Sequence, residues 1–139
     1  KVWMKLDNEE GQVLDFTMMA ATTGETFGGG YKVSPGVTPV DKSGTIVYAP
    51  RLSRLAMLSL MGPMKKGKHI GKWGITMRNA NRIEIKPVDK SGNISETPLD
   101  LTTWIQADGE PIITCPAVLE WHTDQLLVRG AKSVPWSSE

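Results

Sequence analysis

The sequence predicts a mostly β domain, an antiparallel β-sandwich with one short α-helix, on three observations. Glycine and proline together make up 23 of the 139 residues, and they punctuate the chain about every 8–12 residues, the spacing of sandwiches and barrels rather than of βαβ units. Several runs between these breaks alternate apolar and polar residues, as in Arg82-Ile83-Glu84-Ile85-Lys86, which puts one face in a core and the other in water. A single segment carries helical spacing instead.

In chain order, strands are expected at Val2–Leu6, Val13–Ala20, Thr45–Tyr48, His69–Met77, Arg82–Pro87, Leu101–Gln106, Cys115–His122 and Gln125–Arg129. The helix is expected over Pro50–Met61, where Leu52, Leu55, Leu58 and Leu60-Met61 recur on one face. Pro50 suits its first turn and Gly62-Pro63 should end it. That helix either plugs the sandwich or offers Met57, Met61 and Met64 to a lipid or membrane. The pentapeptide Val-Asp-Lys-Ser-Gly occurs at Val40–Gly44 and again at Val88–Gly92. Both copies read as the same hairpin turn, with Asp and Ser bonding nearby backbone and Gly supplying positive φ. Residues 1–133 are expected to form one domain and 134–139 a loosely held tail.

A hydrophobic content of 40% in 139 residues is enough for one core without staples. The lone Cys115 cannot bridge within the chain and favours a reducing compartment. A net charge of +1 supplies no general field for nucleic acid, so no nucleic-acid partner is expected and any polyanion contact must be local. No run approaches the roughly 18 apolar residues of a membrane span, and the start lacks a signal-peptide core. The expectation is a soluble chain. A strand reading from Val2 onward suggests a piece of a longer protein.

Four groups of residues invite a chemical reading. Gly28-Gly29-Gly30 follows an apolar strand and either forms a tight bulged turn that allows close packing or lays bare amides to an anion. No P-loop or dinucleotide fingerprint accompanies it. Asp108-Gly109-Glu110 reads as a hairpin turn whose carboxylates are either solvated or placed to take a proton or bind a nucleotide's magnesium. His69 and His122 lack metal-ligand spacing and read as ordinary strand residues. Lys65-Lys66-Gly67-Lys68 is a solvated loop or a contact for anionic lipid.

These groups fall in the order of a known pattern. The strand before Phe27-Gly28-Gly29-Gly30-Tyr31-Lys32-Val33-Ser34-Pro35 is followed by the Asp41 turn with Gly44-Thr45-Ile46-Val47 and then the leucine-rich helix. Gly67-Lys68-His69, Arg82–Ile85, Asp108-Gly109-Glu110 and Pro116–Glu120 closing into Leu126-Leu127-Val128 complete it. From about Asp15 to Arg129 the chain resembles the C-terminal portion of the diacylglycerol kinase and sphingosine kinase superfamily of lipid kinases. The related NAD-kinase type of fold shares features, but the triple glycine with the Asp-Gly-Glu turn is closer to the lipid branch.

The resemblance implies the C-terminal β-sandwich of a two-domain lipid kinase. Its upstream nucleotide-binding domain carries a Gly-Gly-Asp-Gly-Thr motif that is absent from this chain. It implies transfer of the γ-phosphoryl group of ATP to a lipid hydroxyl of diacylglycerol or sphingosine type, with Asp108 or Glu110 as base or magnesium-linked carboxylate. Gly28, Gly29 and Gly30 would lie on the cofactor side. A magnesium site would be formed around Thr38, Asp41 and Thr45, although the family often has Asp-Gly where this chain has Asp41-Lys42-Ser43-Gly44. The implied setting is cytoplasmic and peripheral at membranes, with lipid substrate and membrane surface as partners. Two other readings stand beside it: a non-catalytic β-sandwich that binds lipid or protein, and a half that homodimerises through its sheet edges.

Overall fold

The computed structural model describes residues 1–99 and 104–122. Its elements are β1 Val2–Leu6, β2 Gln12–Leu14, β3 Phe16–Thr22, β4 Thr26–Phe27, β5 Tyr31–Lys32, β6 Gly44–Pro50, α1 Arg54–Lys65, β7 Thr76–Ala80, β8 Arg82–Pro87, β9 Trp104–Ala107, β10 Glu110–Thr114 and β11 Ala117–Glu120. The expected strand Gln125–Arg129 and the tail lie outside the described residues, as does the start of the one expected at Leu101.

Two open antiparallel sheets face each other, one ordered β11-β8-β1-β2 and the other β3-β6-β7, and β4-β5 and β9-β10 form separate hairpins. Alternation decides how they pack. On β1 and β8 the inward residues Val2, Met4, Leu6, Ile83 and Ile85 meet Ile46, Ala80 and Cys115 in the first core. Strand β6 is buried on both faces: Ile46 and Tyr48 point into this core, while Val47 and Ala49 point the other way. There they join Val33, Leu60 and Ile75 in a second core beneath α1. The result is a β-sandwich-like domain with one helix laid on the outer face of its three-stranded sheet.

Several expectations need correction. The run Val13–Ala20 is two strands in different sheets, β2 and β3, separated at Asp15. The strand expected from His69 begins only at Thr76, because Gly71 and Gly74 both take positive φ and fold the intervening chain into a turn. Pro50 ends β6, and α1 starts at Arg54, capped by Ser53, whose hydroxyl accepts a hydrogen bond from the Ala56 amide. Gly62-Pro63 does not stop the helix. With Pro63 in the last turn only one intrahelical donor is missing, and the stop comes at Gly67. There φ is +66°, the Gly67 amide donates to the Met64 carbonyl and the Lys68 amide to the Pro63 carbonyl, the paired closure of a Schellman motif.

The two Val-Asp-Lys-Ser-Gly copies fold differently. Asp89 accepts from the Ser91 and Asn93 amides and Gly92 takes φ +92°, a local turn as expected. Gly44 is absent from the positive-φ glycines and opens β6, where a Cβ would lie 1.9 Å from the Trp121 ring. The same five residues thus serve conformational freedom once and close approach once.

Candidate functional site

Between α1 and the outer face of the three-stranded sheet lies a pocket of about 140 Å³ lined by Leu52, Met57, Leu60, Met64, Val47 and Ile75 among others, with Thr17 and His69 as its polar members. Its walls follow from local rules. Met57, Leu60 and Met64 share one face of α1 at i, i+3 and i+7, and β6 turns Val47 and Ala49 outward toward them. The Thr17 hydroxyl is engaged, accepting from the Leu52 amide at 2.8 Å.

His69 lies between α1 and β7 and not in a strand as expected, and it is only 1% exposed. It follows the Gly67 closure, and its Nε2 lies 3.1 Å from the Val33 carbonyl. A carbonyl can only accept, so Nε2 carries the proton and Nδ1 is left as an acceptor, without a partner among the described residues. Burial lowers the His69 pKa below its ordinary value, opposed by the bond to Val33. The imidazole is held neutral. Nothing in the spacing of the two histidines pointed to this. The usable signal was Gly67-Lys68-His69 after a leucine-rich helix.

Gly28, Gly29 and Gly30 form the tip of the β4-β5 hairpin, where Thr26 pairs with Lys32 and Phe27 with Tyr31. All three have positive φ (37°, 66° and 82°), and a Cβ on any of them would meet nothing within 4 Å. They are required by conformation, not by close packing, which corrects the expectation of a tightly packed turn. The base of this hairpin is tied down. Glu25 accepts from the Gly36 amide and pairs with Lys32 at 3.2 Å, and these contacts, the amide first, hold its carboxyl below the usual range. The fully buried Ser34 shares a 2.6 Å hydrogen bond with Thr22.

Asp108 and Gly109 take φ of +51° and +90° between β9 and β10, the pair of positive values that a two-residue I′ turn demands. Asp108 and Glu110 are exposed at this tip.

Of the three residues expected to hold magnesium, two come together. The Thr38 amide and hydroxyl donate to the Asp41 carboxylate at 2.9 and 2.8 Å, and these bonds, the amide first, lower its pKa. Thr45 is buried in β6 and its hydroxyl donates to Asn79 at 3.1 Å. The exposed Asp41 carboxylate keeps spare lone pairs and would suit a magnesium ion whose remaining ligands are water or carbonyls. Thr45 is committed to the sheet. Among the described residues no cluster of three or more His, Cys, Asp or Glu side chains converges to hold a metal.

No curated protein and no solved structure matches the chain. A family model described as the YegS C-terminal NAD kinase beta sandwich-like domain matches residues 1–129. The match spans most of the chain and agrees with the sandwich-like fold, and the chain belongs to the YegS C-terminal domain family of the YegS and diacylglycerol kinase-like lipid kinases.

Proposed function

We propose that this chain is the lipid-side half of an ATP-dependent lipid kinase, acting at the cytoplasmic surface of a membrane together with an upstream nucleotide-binding domain. The observation that carries the reading beyond family membership is the apolar pocket under α1. At about 140 Å³ it is close to an engineered cavity of about 150 Å³ that takes benzene, so it suits a short stretch of an acyl chain rather than a whole lipid. The chemistry is transfer of the γ-phosphoryl group of magnesium-bound ATP to a lipid hydroxyl, of diacylglycerol or sphingosine type. Positioning and charge stabilisation dominate such transfers. In this reading the Asp108-Gly109-Glu110 tip reaches the cleft, one carboxylate orienting the hydroxyl and accepting its proton. The Gly28–Gly30 tip borders the nucleotide side, and magnesium at Asp41 has a structural role.

A second reading, lipid or protein binding without turnover, is favoured by the exposure of both carboxylates at a hairpin tip. The test is ATP-dependent labelling of a lipid panel by the chain joined to its native upstream region, beside folded Asp108→Asn and Glu110→Gln versions. Loss of product in one variant identifies the essential carboxylate, with a decrease of about 10²-fold or more. A folded, ATP-binding protein that labels no lipid refutes the kinase reading.

A further inference from the structure

Helix α1 is apolar on two faces. Met57, Leu60 and Met64 close the pocket, yet Leu60 is the one helical residue that is buried. A second stripe at i, i+3 and i+6 points away from the core: Leu55 is 80% exposed, Leu58 66% and Met61 48%. An amphipathic helix on a soluble surface should be polar there. Here it is not.

After the Gly67 closure the chain makes a tight turn, Lys72–Gly74, that presents Trp73 with 61% of its surface exposed. Trp73 has φ +53°, a conformation that bulky L-residues seldom adopt. A strained backbone that holds a large aromatic in solvent contributes nothing to either core and points to an external partner.

Charge identifies that partner. From Lys42 to Ile83 the sequence has nine Lys and Arg and no Asp or Glu, although the whole chain is nearly neutral. Arg51, Arg54, Lys65, Lys66, Lys68 and Lys72 flank α1 and the Trp73 turn, and all are exposed. Arg51 lies 3.9 Å from Asp15, and the other five form no ion pair with the described residues. A second copy of the same face would set cations against cations, which disfavours a dimer here. Apolar side chains, an interfacial tryptophan and surrounding cations together suit the boundary of an anionic bilayer.

We propose that α1 and the Trp73 turn form a docking face for an anionic lipid bilayer, with Leu55, Leu58, Met61 and Trp73 entering the headgroup–acyl boundary and the surrounding Lys and Arg contacting lipid phosphates. This inference rests on the lipid-kinase reading for its consequence: Met57 is 46% exposed and also lines the pocket, so a docked α1 would open the pocket toward the membrane that holds the substrate.

The test is co-sedimentation of the chain, joined to its native upstream region, with vesicles of phosphatidylcholine alone or with about one third phosphatidylglycerol. Two variants accompany it, Leu55→Ser with Leu58→Ser, and Lys65→Gln with Lys66→Gln and Lys72→Gln; all five sites are exposed. Binding should require the anionic lipid, fall at least about tenfold in either variant, and weaken between about 0.1 M and 1 M salt as the Debye length shrinks from about 10 to 3 Å. Lipids brominated on the acyl chain should quench tryptophan emission in the parent and less so in Trp73→Phe. Retention of anionic-vesicle binding within about twofold in both variants, or no binding by the parent, overturns the proposal. A variant that instead turns a dimer into a monomer without losing vesicle binding shows that a second copy covers this face, and overturns it too. Because no step depends on turnover, failure here leaves the kinase reading standing, and vesicle binding without lipid labelling would refute the kinase reading alone.

Discussion

Gly44→Ala should unfold this domain more readily for a reason found only in its neighbour. The new Cβ would lie 1.9, 2.0 and 2.3 Å from Cε2, Cδ2 and Nε1 of Trp121. Ordinary carbon contacts begin near 3.5 Å, so the indole must retreat by about 1.6 Å. Retreat is resisted, because Trp121 packs on the first core and its amide donates to the Asn81 carbonyl at 2.9 Å. Overpacking of this kind costs about 1–3 kcal/mol. In a Trp121→Ala background the clash is gone, and since Gly44 does not require positive φ, the same substitution should be neutral or stabilise by up to about 1 kcal/mol. The coupling energy of the cycle should therefore be at least about 1 kcal/mol. Urea unfolding followed by far-ultraviolet circular dichroism measures it without relying on the altered tryptophan. Additivity of the two substitutions to within about 0.5 kcal/mol would refute the argument, as would parental stability in Gly44→Ala. Gly11 stands in the same relation to Trp3, whose Cζ2 would be 2.0 Å from an added Cβ.

Three other outcomes follow from the same contacts. Leu60→Ala should cost about 2–5 kcal/mol, toward the upper end because it enlarges an existing pocket, and thermal unfolding reads the loss. His69 binds its proton less readily folded than unfolded, so its contribution to stability is intact above the unfolded value of 6.5 and declines as pH falls below it. The slope is at most about 1.4 kcal/mol per pH unit for this one proton, and urea midpoints from pH 7 to 5 should lose that component in His69→Gln. Cys115 is buried and burial lifts its thiol to about 11, so a thiol reagent at neutral pH should label it only on unfolding; rapid labelling of the folded chain contradicts this.

Local pattern made much of the sandwich legible. The bounds of β1 and β8 could be read residue by residue, because each alternates under one buried face and period 2 admits no slip. The Asp108-Gly109 turn was equally visible, since few residue pairs tolerate two positive φ values. Hairpin β4-β5 was missed because two-residue strands carry no period, and β10 because Pro111 and a register shift interrupt its pattern. Val13–Ala20 misled because its two halves are equally apolar and only their packing separates them.

The sequence by itself determined the mostly β fold class, the bounds of β1 and β8 and the Asp108-Gly109 turn, each written in local periodicity or turn chemistry. The tertiary structure decided what those residues do. It set Val-Asp-Lys-Ser-Gly to two uses through the position of Trp121, turned Thr45 to Asn79 and buried His69 against Val33. It also left Leu55, Leu58 and Met61 uncovered. Helical spacing places residues on a face, but which face meets the core depends on where the next sheet lies, and that contact comes from residues distant in the chain.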